Sequence, residues 1–553
     1  MKNIPSGKYV AYPQVHLPKR EWVDKKLENA PLWCSVDLRD GNQALINPMD
    51  LEKKLKLFNL LIEIGFKNIE VGFPSASKTE FQFLRTLVEK DLIPEDVTVQ
   101  VLVQAREHLI KKTFKALQGV KSAVVHLYNS TSVAQRKIVF QKEKREIIDL
   151  ALHGVDLVKE EMKNFDGKIT LEYSPESFTG TELDFALEIC DEVVDLWGGT
   201  PENRVIINLP ATVEMATPNI YADQIEFMSK SFKKRDSIIL SLHAHNDRGT
   251  AVAATELALL AGADRVEGTL LGNGERTGNV DILTLALNMT TQGIESNLDF
   301  SNVDKVVEVV EQVTEIETGV RHPYVGKLVY TAFSGSHQDA INKGFAFQRR
   351  KDDPFWEVPY LPIDPSDVGR TYEDVIRINS QSGKGGIAYI LENEFGFQIP
   401  KNMHPEVGKV IQRKSDEVER VLTNSEVFEE FDREYISQDC KLEFISFKRL
   451  QKDDQVRCKL DFNFNGKKFN ECGIGNGILD STKNAIQKVV NVDFEIISFN
   501  EHSKGEGSKA TAVAYTQIEN NKFERLFGIG IDTDTTKASI KSIFSALNRT
   551  LGK

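Results

Sequence analysis

The sequence lacks any apolar run long enough to cross a bilayer, so we expect no transmembrane helix and no membrane partner. Residues 1–27 mix Lys, Asp, Glu and Pro without an apolar core, which is typical of neither a signal peptide nor a transit peptide. An excess of basic residues is also missing, because 69 Lys and Arg stand against 82 Asp and Glu, a net charge of −13. This balance argues against a nucleic-acid partner and favours a soluble enzyme of small anions with locally basic pockets.

Cysteine is scarce, and its five positions show no C-x-x-C spacing. Scattered cysteines predict reduced thiols, and hence a reducing compartment rather than a secreted, disulfide-bonded protein. We therefore expect a cytoplasmic location. The cysteines are Cys34, Cys190, Cys440, Cys458 and Cys472.

Short apolar runs rich in Val, Ile and Leu alternate with longer amphipathic segments over the first half of the chain. Such runs are typical of strands buried on both faces. The segments between them, such as Leu51–Ile64 and Ile220–Ser231, have the spacing of helices. The eight runs are Leu32–Leu38, Asn68–Gly72, Val97–Gln104, Ala123–Tyr128, Ile169–Tyr173, Val205–Leu209, Ile238–Leu242 and Arg265–Leu271.

Eight strand–helix units in roughly 260 residues match the count and size of a (β/α)₈ barrel. The competing fold, an open doubly wound sheet, usually has fewer strands. At 553 residues the chain also needs more than one core. We predict an α/β protein with a TIM barrel and N-terminal extension over residues 1–326, a helical linker region over 327–440 and an α+β domain over 441–553.

Polar residues cluster where the predicted strands end, which is where barrel enzymes carry their active sites. The first strand runs into D-L-R-D-G-N-Q (37–43), and the last runs into G-N-G-E-R-T-G-N (272–279). Further clusters follow strands four, five and six, at H-L-Y-N (126–129), E-Y-S-P-E (172–176) and N-L-P-A-T (208–212). Clusters at so many strand ends predict a site at the barrel mouth rather than a set of solvated loops.

The seventh strand ends in L-S-L-H-A-H-N-D-R-G (240–249), with two histidines spaced i, i+2. On a strand, this spacing places His243 and His245 on the same face. Two imidazoles on one face suit a divalent metal, although an isolated H-x-H is more often an ordinary solvated strand end. In a closed barrel only strand eight separates strand seven from strand one, so we expect Asp40 to lie within reach of both histidines.

One carboxylate and two imidazoles predict a metal site with open positions for water and substrate. Asn279, after strand eight, is expected to join this site directly or through water. Such a site polarises a substrate carbonyl, and Arg39 beside Asp40 supplies a donor to developing oxyanion charge. These donors accept Mg²⁺, Mn²⁺ or Zn²⁺, of which we expect Mg²⁺. We expect Asp247 and Arg248 to pair locally, either as support behind the metal ligands or in a structural role.

The last part of the chain repeats itself. The stretch C-G-I-G-N-G-I-L-D-S-T-K (472–483) recurs as F-G-I-G-I-D-T-D-T-T-K (527–537). About three alternating strands precede each copy and one helix follows, which predicts two βββα units around a pseudo-two-fold axis. A helix N-terminus after Gly475, Asn476 and Gly477 would offer free N–H groups to an anion or carboxylate, the alternative being a pure dimerisation module.

Together these motifs resemble those of the pyruvate-carboxyltransferase-like barrel family, which includes isopropylmalate, homocitrate and citramalate synthases and hydroxymethylglutaryl-CoA lyases. The shared motifs are L-R-D-G-N-Q (38–43), H-A-H-N-D-R-G (243–249) and G-N-G-E-R-T-G-N (272–279). With the duplicated tail, further stretches narrow the resemblance to the long-form 2-isopropylmalate synthases over nearly the whole chain. These are Y-S-P-E-S-F-T-G-T-E (173–182), N-L-P-A-T-V-E-M-A-T-P-N (208–219), S-G-S-H-Q-D-A-I-N-K-G (334–344) and V-P-Y-L-P-I-D-P (358–365).

The resemblance implies a Claisen-type condensation of acetyl-CoA with 2-oxoisovalerate and water, giving 2-isopropylmalate and CoA, at the committed step of leucine biosynthesis. It assigns Asp40, His243 and His245 as metal ligands, with Asn279 close by through water. Residues lining the 2-oxoacid pocket are then Arg39, His126, Ser174, Glu176 and Thr212.

The resemblance also implies three catalytic residues besides Arg39, namely Glu275, His337 and Tyr360, of which the last two reach the barrel of a neighbouring subunit. His337 is the natural base because the pKa of imidazole is nearest to working pH, but the sequence leaves the base open among the three. Residues 441–553 are implied to bind leucine as a feedback inhibitor, for which we expect Gly475, Asn476 and Gly477 to be contacts. A domain-swapped homodimer is implied as well.

Three other functions remain open from the sequence. A sister synthase would use pyruvate or 2-oxoglutarate, and pockets that differ by one methylene discriminate by only about 1–3 kcal/mol. A metal-dependent acyl-CoA lyase is disfavoured by the duplicated C-terminal domain, which lyases of this family lack. A metabolite-binding regulator on an inactive barrel would need losses among Asp40, His243, His245 and Glu275, and all four are present.

Overall fold

The structure is a computed structural model that describes residues 6–332, 334–370, 384–418, 422–438, 440–452, 455–505, 507 and 510–551. The chain divides into two compact units: Met1–Val329 with Asp367–Gly369, and Tyr330–Ser366 with Arg370–Lys553. Within the described ranges, none of the helices combines the length and apolar character that a membrane span needs.

The first unit is a closed barrel of parallel strands in which β1 pairs with both β2 and β8. Closure confirms the predicted (β/α)₈ fold and excludes the open doubly wound sheet. The strands are β1 (Leu32–Ser35), β2 (Asn68–Gly72), β3 (Thr98–Gln104), β4 (Ser122–Ser130), β5 (Lys168–Glu176), β6 (Val205–Ala211), β7 (Ile238–Ala244) and β8 (Arg265–Gly268).

Helices follow the strands as the sequence periodicity predicts, and the first of them has the predicted bounds. It starts after Asp50, whose side chain accepts a hydrogen bond from the Lys53 N–H, and it ends at the left-handed Gly65. The helices of this unit are α1 (Leu51–Ile64), α2 (Lys78–Glu89), α3 (Glu107–Leu117), the single turn α4 (Val133–Gln135), α5 (Lys144–Met162), α6 (Leu183–Trp197), α7 (Pro218–Ser231), α8 (Ala251–Leu260), α9 (Ile282–Thr290) and α10 (Val303–Thr314).

The strand ends differ from the predicted runs in a way that positions polar side chains. β1 stops at Ser35, and Asp37–Gly41 form a π-helical turn instead of continuing the strand. β5 and β7 instead continue past their apolar runs to Glu176 and Ala244. Polar groups at the barrel mouth therefore sit on regular strand backbone or on a tight turn, which fixes their direction.

The second unit begins with helices and ends with two antiparallel sheets. The sheet orders are β11-β10-β9 and β12-β13-β14, and one helix follows each sheet. The elements are α11 (Gly335–Gln348), α12 (Lys384–Asn393), α13 (His404–Val418), α14 (Asn424–Tyr435), β9 (Leu442–Lys452), β10 (Gln455–Phe464), β11 (Lys467–Gly475), α15 (Ile478–Ile486), β12 (Phe494–Lys504), β13 (Thr511–Asn520), β14 (Arg525–Asp532) and α16 (Thr535–Leu551).

The two βββα units share one apolar core, which confirms the predicted duplication. Leu460 and Phe462 of the first unit pack in the same cluster as Ile518, Ile543 and Leu547 of the second. A separate cluster covers the opposite face of the second sheet, where α13 and α14 pack against residues of β13 and β14. This cluster includes Val407, Phe431, Val513, Tyr515, Phe527 and Ile529.

Candidate active site

Asp40, His243 and His245 meet at the carboxyl end of the barrel. Asp40 lies in the π-helical turn after β1, His243 near the end of β7 and His245 just beyond it. The Asp40 Oδ2 atom lies 3.7 Å from His243 Nε2 and 3.7 Å from His245 Nε2. All three residues are buried, so three donor atoms face one shared point at the barrel mouth.

Burial and neighbouring charges set the protonation of these groups. Burial alone would raise the pKa of Asp40, but the Arg39 guanidinium and the two histidines hold that pKa well below its usual range. Burial alone would lower the pKa of His243, yet its hydrogen bonds with Asp40 and Glu267 raise it to about 9. Burial and the charge of His243 lower the pKa of His245 to about 4. Without a metal, an anionic carboxylate therefore stands between a protonated His243 and a neutral His245, and a divalent cation would bind there in exchange for the His243 proton.

Asn279 completes the cluster from the loop after β8. Its Nδ2 donates to Asp40 Oδ2 at 2.8 Å, while its buried Oδ1 has no hydrogen-bond partner in the described structure. The Nδ1 of His245 is also buried and without a partner there. The unpartnered buried oxygen of Asn279 beside three converging ligand atoms fits the divalent metal that the sequence predicts.

The loops that carry Asp40 and Asn279 are tied to each other. The Asp37 carboxylate accepts from the Leu270 N–H at 3.0 Å, and burial raises the pKa of this carboxyl to about 7. Asn273 Nδ2 donates to the Gly41 carbonyl at 3.1 Å. In the same loop, a Cβ on Gly278 would lie 1.9 Å from the Gly272 carbonyl oxygen, so only glycine fits there. The glycine spacing of the sequence motif thus lets the loop fold back onto the barrel mouth.

A cavity of about 260 Å³ opens beside the metal cluster. Arg39 lies on its wall, where Nη1 contacts Asp40 Oδ1 at 2.6 Å and Nε contacts Glu70 Oε2 at 2.5 Å. Because two buried carboxylates hold the guanidinium, its direction is fixed before any substrate arrives.

The other residues predicted for the 2-oxoacid pocket line the same cavity. His126 Nδ1 donates to the Glu70 carboxylate at 2.8 Å, and its Nε2 lies 2.7 Å from the Ser174 hydroxyl oxygen. Thr212 Oγ1 accepts from the Ser177 N–H at 2.9 Å. The structure therefore brings together all five predicted pocket residues: Arg39, His126, Ser174, Glu176 and Thr212.

The three candidate bases are distributed over the two units. Glu275 lines the barrel cavity. His337 and Tyr360 belong to the second unit, where their ring centroids lie 4.1 Å apart and their planes are tilted by 34°. Both side chains are exposed, Tyr360 by 62%. His337 and Tyr360 thus form an accessible pair, which a base and its hydrogen-bonding partner require.

The predicted effector residues Gly475, Asn476 and Gly477 connect β11 to α15. The Asn476 N–H, which was expected to be free, donates to Asp480 Oδ2 at 3.0 Å. A ligand carboxylate that binds there must therefore compete with the Asp480 side chain. The contact residues for leucine stay a prediction.

The expected local pair of Asp247 and Arg248 does not form. Asp247 instead pairs with Arg276, whose Nε lies 2.7 Å from its Oδ1, and Asp247 Oδ2 accepts from the Glu214 N–H at 2.9 Å. The Arg248 N–H donates to Glu214 Oε2 at 2.5 Å. Asp247 thus holds the loop after β8 in place, a structural role.

Sequence reasoning did not recognise a set of polar side chains inside the barrel beneath the cavity, although Glu172 stood in one of the predicted strand-end clusters. All five have 0% exposure, and each stands near the middle or end of a strand that otherwise reads as apolar: Glu70, Gln100, Glu172, Arg265 and Glu267. Burial and the charge of Glu267 raise the pKa of Glu172 well above its usual range. Burial opposes ionisation of Glu267 too, but the Arg265 charge and the His243 hydrogen bond hold its pKa well below the usual range. A carboxylate or amide in the middle of a strand buried on both faces was the signal that could have identified this set.

Three family profiles match successive parts of the chain. The profile of the HMGL-like family matches residues 30–310. The profile described as alpha-isopropylmalate synthase, post-catalytic domain-like matches residues 327–392, and that of the LeuA allosteric (dimerisation) domain matches residues 422–551. Among solved structures, a hydroxymethylglutaryl-CoA lyase from Pseudomonas aeruginosa aligns at 18% identity over 53% of this chain and 96% of its own, with a TM-score of 0.44.

Curated relatives match from end to end. A protein of Clostridium acetobutylicum named 2-isopropylmalate synthase is 55% identical over 98% of this chain and 99% of its own length. Proteins with the same name from Helicobacter hepaticus and Acetoanaerobium sticklandii are 54% and 52% identical, over 96% and 98% of this chain and 97% and 96% of their own lengths. The chain therefore belongs to the 2-isopropylmalate synthase family.

Proposed function

We propose that this protein is a 2-isopropylmalate synthase, which condenses acetyl-CoA with 2-oxoisovalerate and water to give 2-isopropylmalate and CoA in leucine biosynthesis. The observation that carries the proposal is the meeting of Asp40, His243 and His245 beside a cavity walled by Arg39. A buried cation site next to a fixed guanidinium suits an anionic 2-oxoacid.

The cavity fits a small oxoacid with an aliphatic side chain. Arg39 stands next to Asp40 and orients the polar end of the substrate, while Leu102, Tyr128 and Pro210 supply apolar wall. The carboxylate of Glu176 on the same wall disfavours a second acidic group, as in 2-oxoglutarate. These features favour 2-oxoisovalerate over its acidic analogue.

When bound by Asp40, His243 and His245, a divalent cation supplies Lewis acidity to the ketone, and Mg²⁺, Mn²⁺ and Zn²⁺ all suit these donors. Arg39 faces the oxygen on which negative charge develops as the new carbon–carbon bond forms. Its Nη2 takes part in neither ion pair with Glu70 or Asp40 and is directed by both. The guanidinium thereby stabilises the developing alkoxide without reorganising.

A base must remove a proton from the acetyl-CoA methyl group before that carbon attacks the ketone. His337 is the proposed base, with the adjacent Tyr360 as a hydrogen-bond donor. Glu275 orients the acetyl group from the barrel side. Because the exposed His337–Tyr360 pair belongs to the second unit, we propose that it serves the barrel of a partner in a domain-swapped homodimer. Water then hydrolyses the product thioester, which releases the CoA thiol and leaves the second carboxylate.

Leucine is the proposed feedback inhibitor, and residues 441–553 are its proposed binding domain. The match to the LeuA allosteric (dimerisation) domain supports this assignment. Gly475, Asn476 and Gly477 are the proposed contacts, with the Asp480 side chain as the competitor at the same N–H group.

Release of CoA thiol from acetyl-CoA tests the proposal, measured with 2-oxoisovalerate, pyruvate and 2-oxoglutarate in turn. We expect the highest kcat/KM with 2-oxoisovalerate, and loss of the signal after removal of divalent metal by a chelator. A higher kcat/KM with pyruvate or 2-oxoglutarate would assign the chain to a sister reaction. Cleavage of 2-isopropylmalate-like thioesters without condensation would instead indicate a lyase.

A further inference from the structure

Strand β8 places a full charge pair inside the barrel beneath the metal cluster. Arg265 and Glu267, spaced i, i+2, point into the interior and have 0% exposure. Barrel interiors are usually filled by branched apolar side chains, and buried charges lower stability unless they are paired and hydrogen-bonded. Packing alone therefore does not explain why this ion pair is buried inside the barrel.

Both oxygens of the Glu267 carboxylate are held by donors. Oε1 accepts from Arg265 Nη1 at 2.9 Å and from Gln100 Nε2 at 2.9 Å. Oε2 accepts from His243 Nδ1 at 2.9 Å and from Asn208 Nδ2 at 3.3 Å. Glu267 lies directly across from His243 in the register of β7 and β8. Arg265 and Gln100 thus hold Oε1 of the Glu267 carboxylate, and Oε2 points at Nδ1 of His243.

This contact decides which nitrogen of His243 faces the metal cluster. An ionised carboxylate only accepts hydrogen bonds, so Nδ1 carries the proton and donates it to Glu267. The remaining nitrogen, Nε2, points toward Asp40, 3.7 Å from its Oδ2. His245 has no such anchor, because its buried Nδ1 lacks a hydrogen-bond partner in the described structure.

We propose that Glu267 is a positioning residue that locks the ring and tautomer of His243, with Arg265 and Gln100 holding the carboxylate in place. The inference deepens the proposed function and rests on the metal site of Asp40, His243 and His245. A carboxylate behind a ligating histidine typically strengthens metal binding by about 10–100-fold. Two histidines that look alike in sequence therefore have different roles, one anchored and one free to adjust.

Gln100 extends this arrangement to the substrate side of the cavity. Its Nε2 lies 2.9 Å from Glu267 Oε1 and 3.1 Å from Glu70 Oε1, and Glu70 in turn holds Arg39 and His126. One amide therefore connects the carboxylate behind the metal ligand to the carboxylate behind the guanidinium. The carboxylates that orient His243 and Arg39 are therefore joined through a single hydrogen-bonding side chain.

The test is the dissociation constant for Mn²⁺ of the purified full-length protein, measured by calorimetry without substrate. We expect Glu267→Gln to weaken Mn²⁺ binding by about 10–100-fold, because the amide lacks the negative charge. The protein should remain folded, because the amide has the same size as the carboxylate. Glu267→Asp retains the charge for Arg265 and withdraws the carboxylate by one methylene, so it is expected to fold and to weaken binding as well. In both variants, we expect the Co²⁺-loaded protein to show shifted visible absorption bands.

Asp223→Asn is the matched control, since Asp223 is equally buried and pairs with Arg20 at 2.6 Å but lies on α7, outside the barrel interior. Its Mn²⁺ affinity is expected to equal that of the wild type. If the two Glu267 variants lose only melting temperature and keep wild-type affinity, the role is structural and the inference is wrong. If the wild type itself binds no Mn²⁺, the proposed metal site fails first, so the two failures are distinguishable.

Discussion

The interior of the barrel and the core of the paired βββα units are both fully buried, yet they are built from opposite residue types. Beneath the barrel mouth Glu172, Arg265 and Glu267 have 0% exposure, whereas Leu460 and Ile543 occupy the equivalent depth in the C-terminal core. Burying charge lowers stability but fixes dipoles and donors in place, and burying apolar area stabilises without directing any chemistry. The barrel interior therefore orients polar groups, whereas the C-terminal core mainly stabilises its own domain.

The largest effect on activity is expected when a charged side chain at the barrel mouth is removed. Asp40→Ala is expected to lower kcat/KM by about 10³-fold, since loss of a metal ligand removes several kcal/mol of charge stabilisation. The melting temperature should move by less than about 4 °C, because no apolar packing is lost. Steady-state CoA release and differential scanning calorimetry measure the two quantities.

Asp96→Ala is the control for Asp40→Ala, because Asp96 is exposed and forms an ion pair with Lys67 before β3, away from the barrel mouth. It should leave both measurements unchanged. Full activity of Asp40→Ala with unchanged metal content would contradict the assignment of the site.

A substitution in the C-terminal core should have the reverse effect. A Cβ on Gly528 would lie 2.1 Å from the Ala546 nitrogen and 2.3 Å from the Ser542 carbonyl oxygen of α16. Gly528→Ala is therefore expected to destabilise the domain by about 3 kcal/mol, measured by urea unfolding, while Mn²⁺ affinity of the barrel is retained. Gly477→Ala provides the control, since nothing lies within 4 Å of its built Cβ, and a loss of at most about 1 kcal/mol is expected because Gly477 is the N-cap of α15.

A smaller effect is expected where the first βββα unit meets its proposed effector. Asp480→Asn removes the negative charge that competes for the Asn476 N–H, so leucine should inhibit at about fivefold lower concentration, equivalent to about 1 kcal/mol of repulsion. The measurement is the leucine concentration that halves CoA release. Asp461→Asn, on the outer face of β10, is the matched control and should leave that concentration unchanged. An unchanged value for Asp480→Asn would place the leucine carboxylate elsewhere.

A further comparison concerns the outer faces of the two sheets. Leu450 on β9 is 57% exposed, whereas Val513 on β13 is fully buried beneath the helices that cover the second sheet. Leu450→Ala should change the free energy of unfolding by less than about 0.5 kcal/mol. Val513→Ala should lower it by about 1.5 kcal/mol, the value of two buried methyl groups. Equal effects in urea unfolding would show that the two outer faces are buried alike.

The sequence predicts the barrel well because its signals are local. An apolar run bounded by polar residues predicts each strand, and the side-chain capping of Asp50 with the left-handed Gly65 fixes both ends of α1. The metal ligands follow from two local motifs and the closure of the barrel. The duplicated units follow from a repeated glycine pattern, whereas continuous burial of β13 depends on helices that lie far away in the sequence.

The buried polar side chains beneath the cavity could not be predicted to interact, because their contacts depend on the register between strands. Glu267 reaches His243 only since the two residues stand opposite each other in β8 and β7. Gln100 reaches Glu267 across the barrel interior, a contact that no spacing along the chain encodes. The π-helical turn at Asp37–Gly41 was missed for a similar reason, since its Asp37 carboxylate is anchored on the Leu270 N–H of the last strand's loop.

The pairing of β1 with β8 has a consequence for biosynthesis of the protein itself. Asp40 leaves the ribosome early, His243 and His245 follow much later, and the strand that closes the barrel is made last. A nascent chain therefore exposes the carboxylate for most of its synthesis without the imidazoles that complete the proposed metal site. The three side chains are brought together only once the two ends of the barrel sequence have joined.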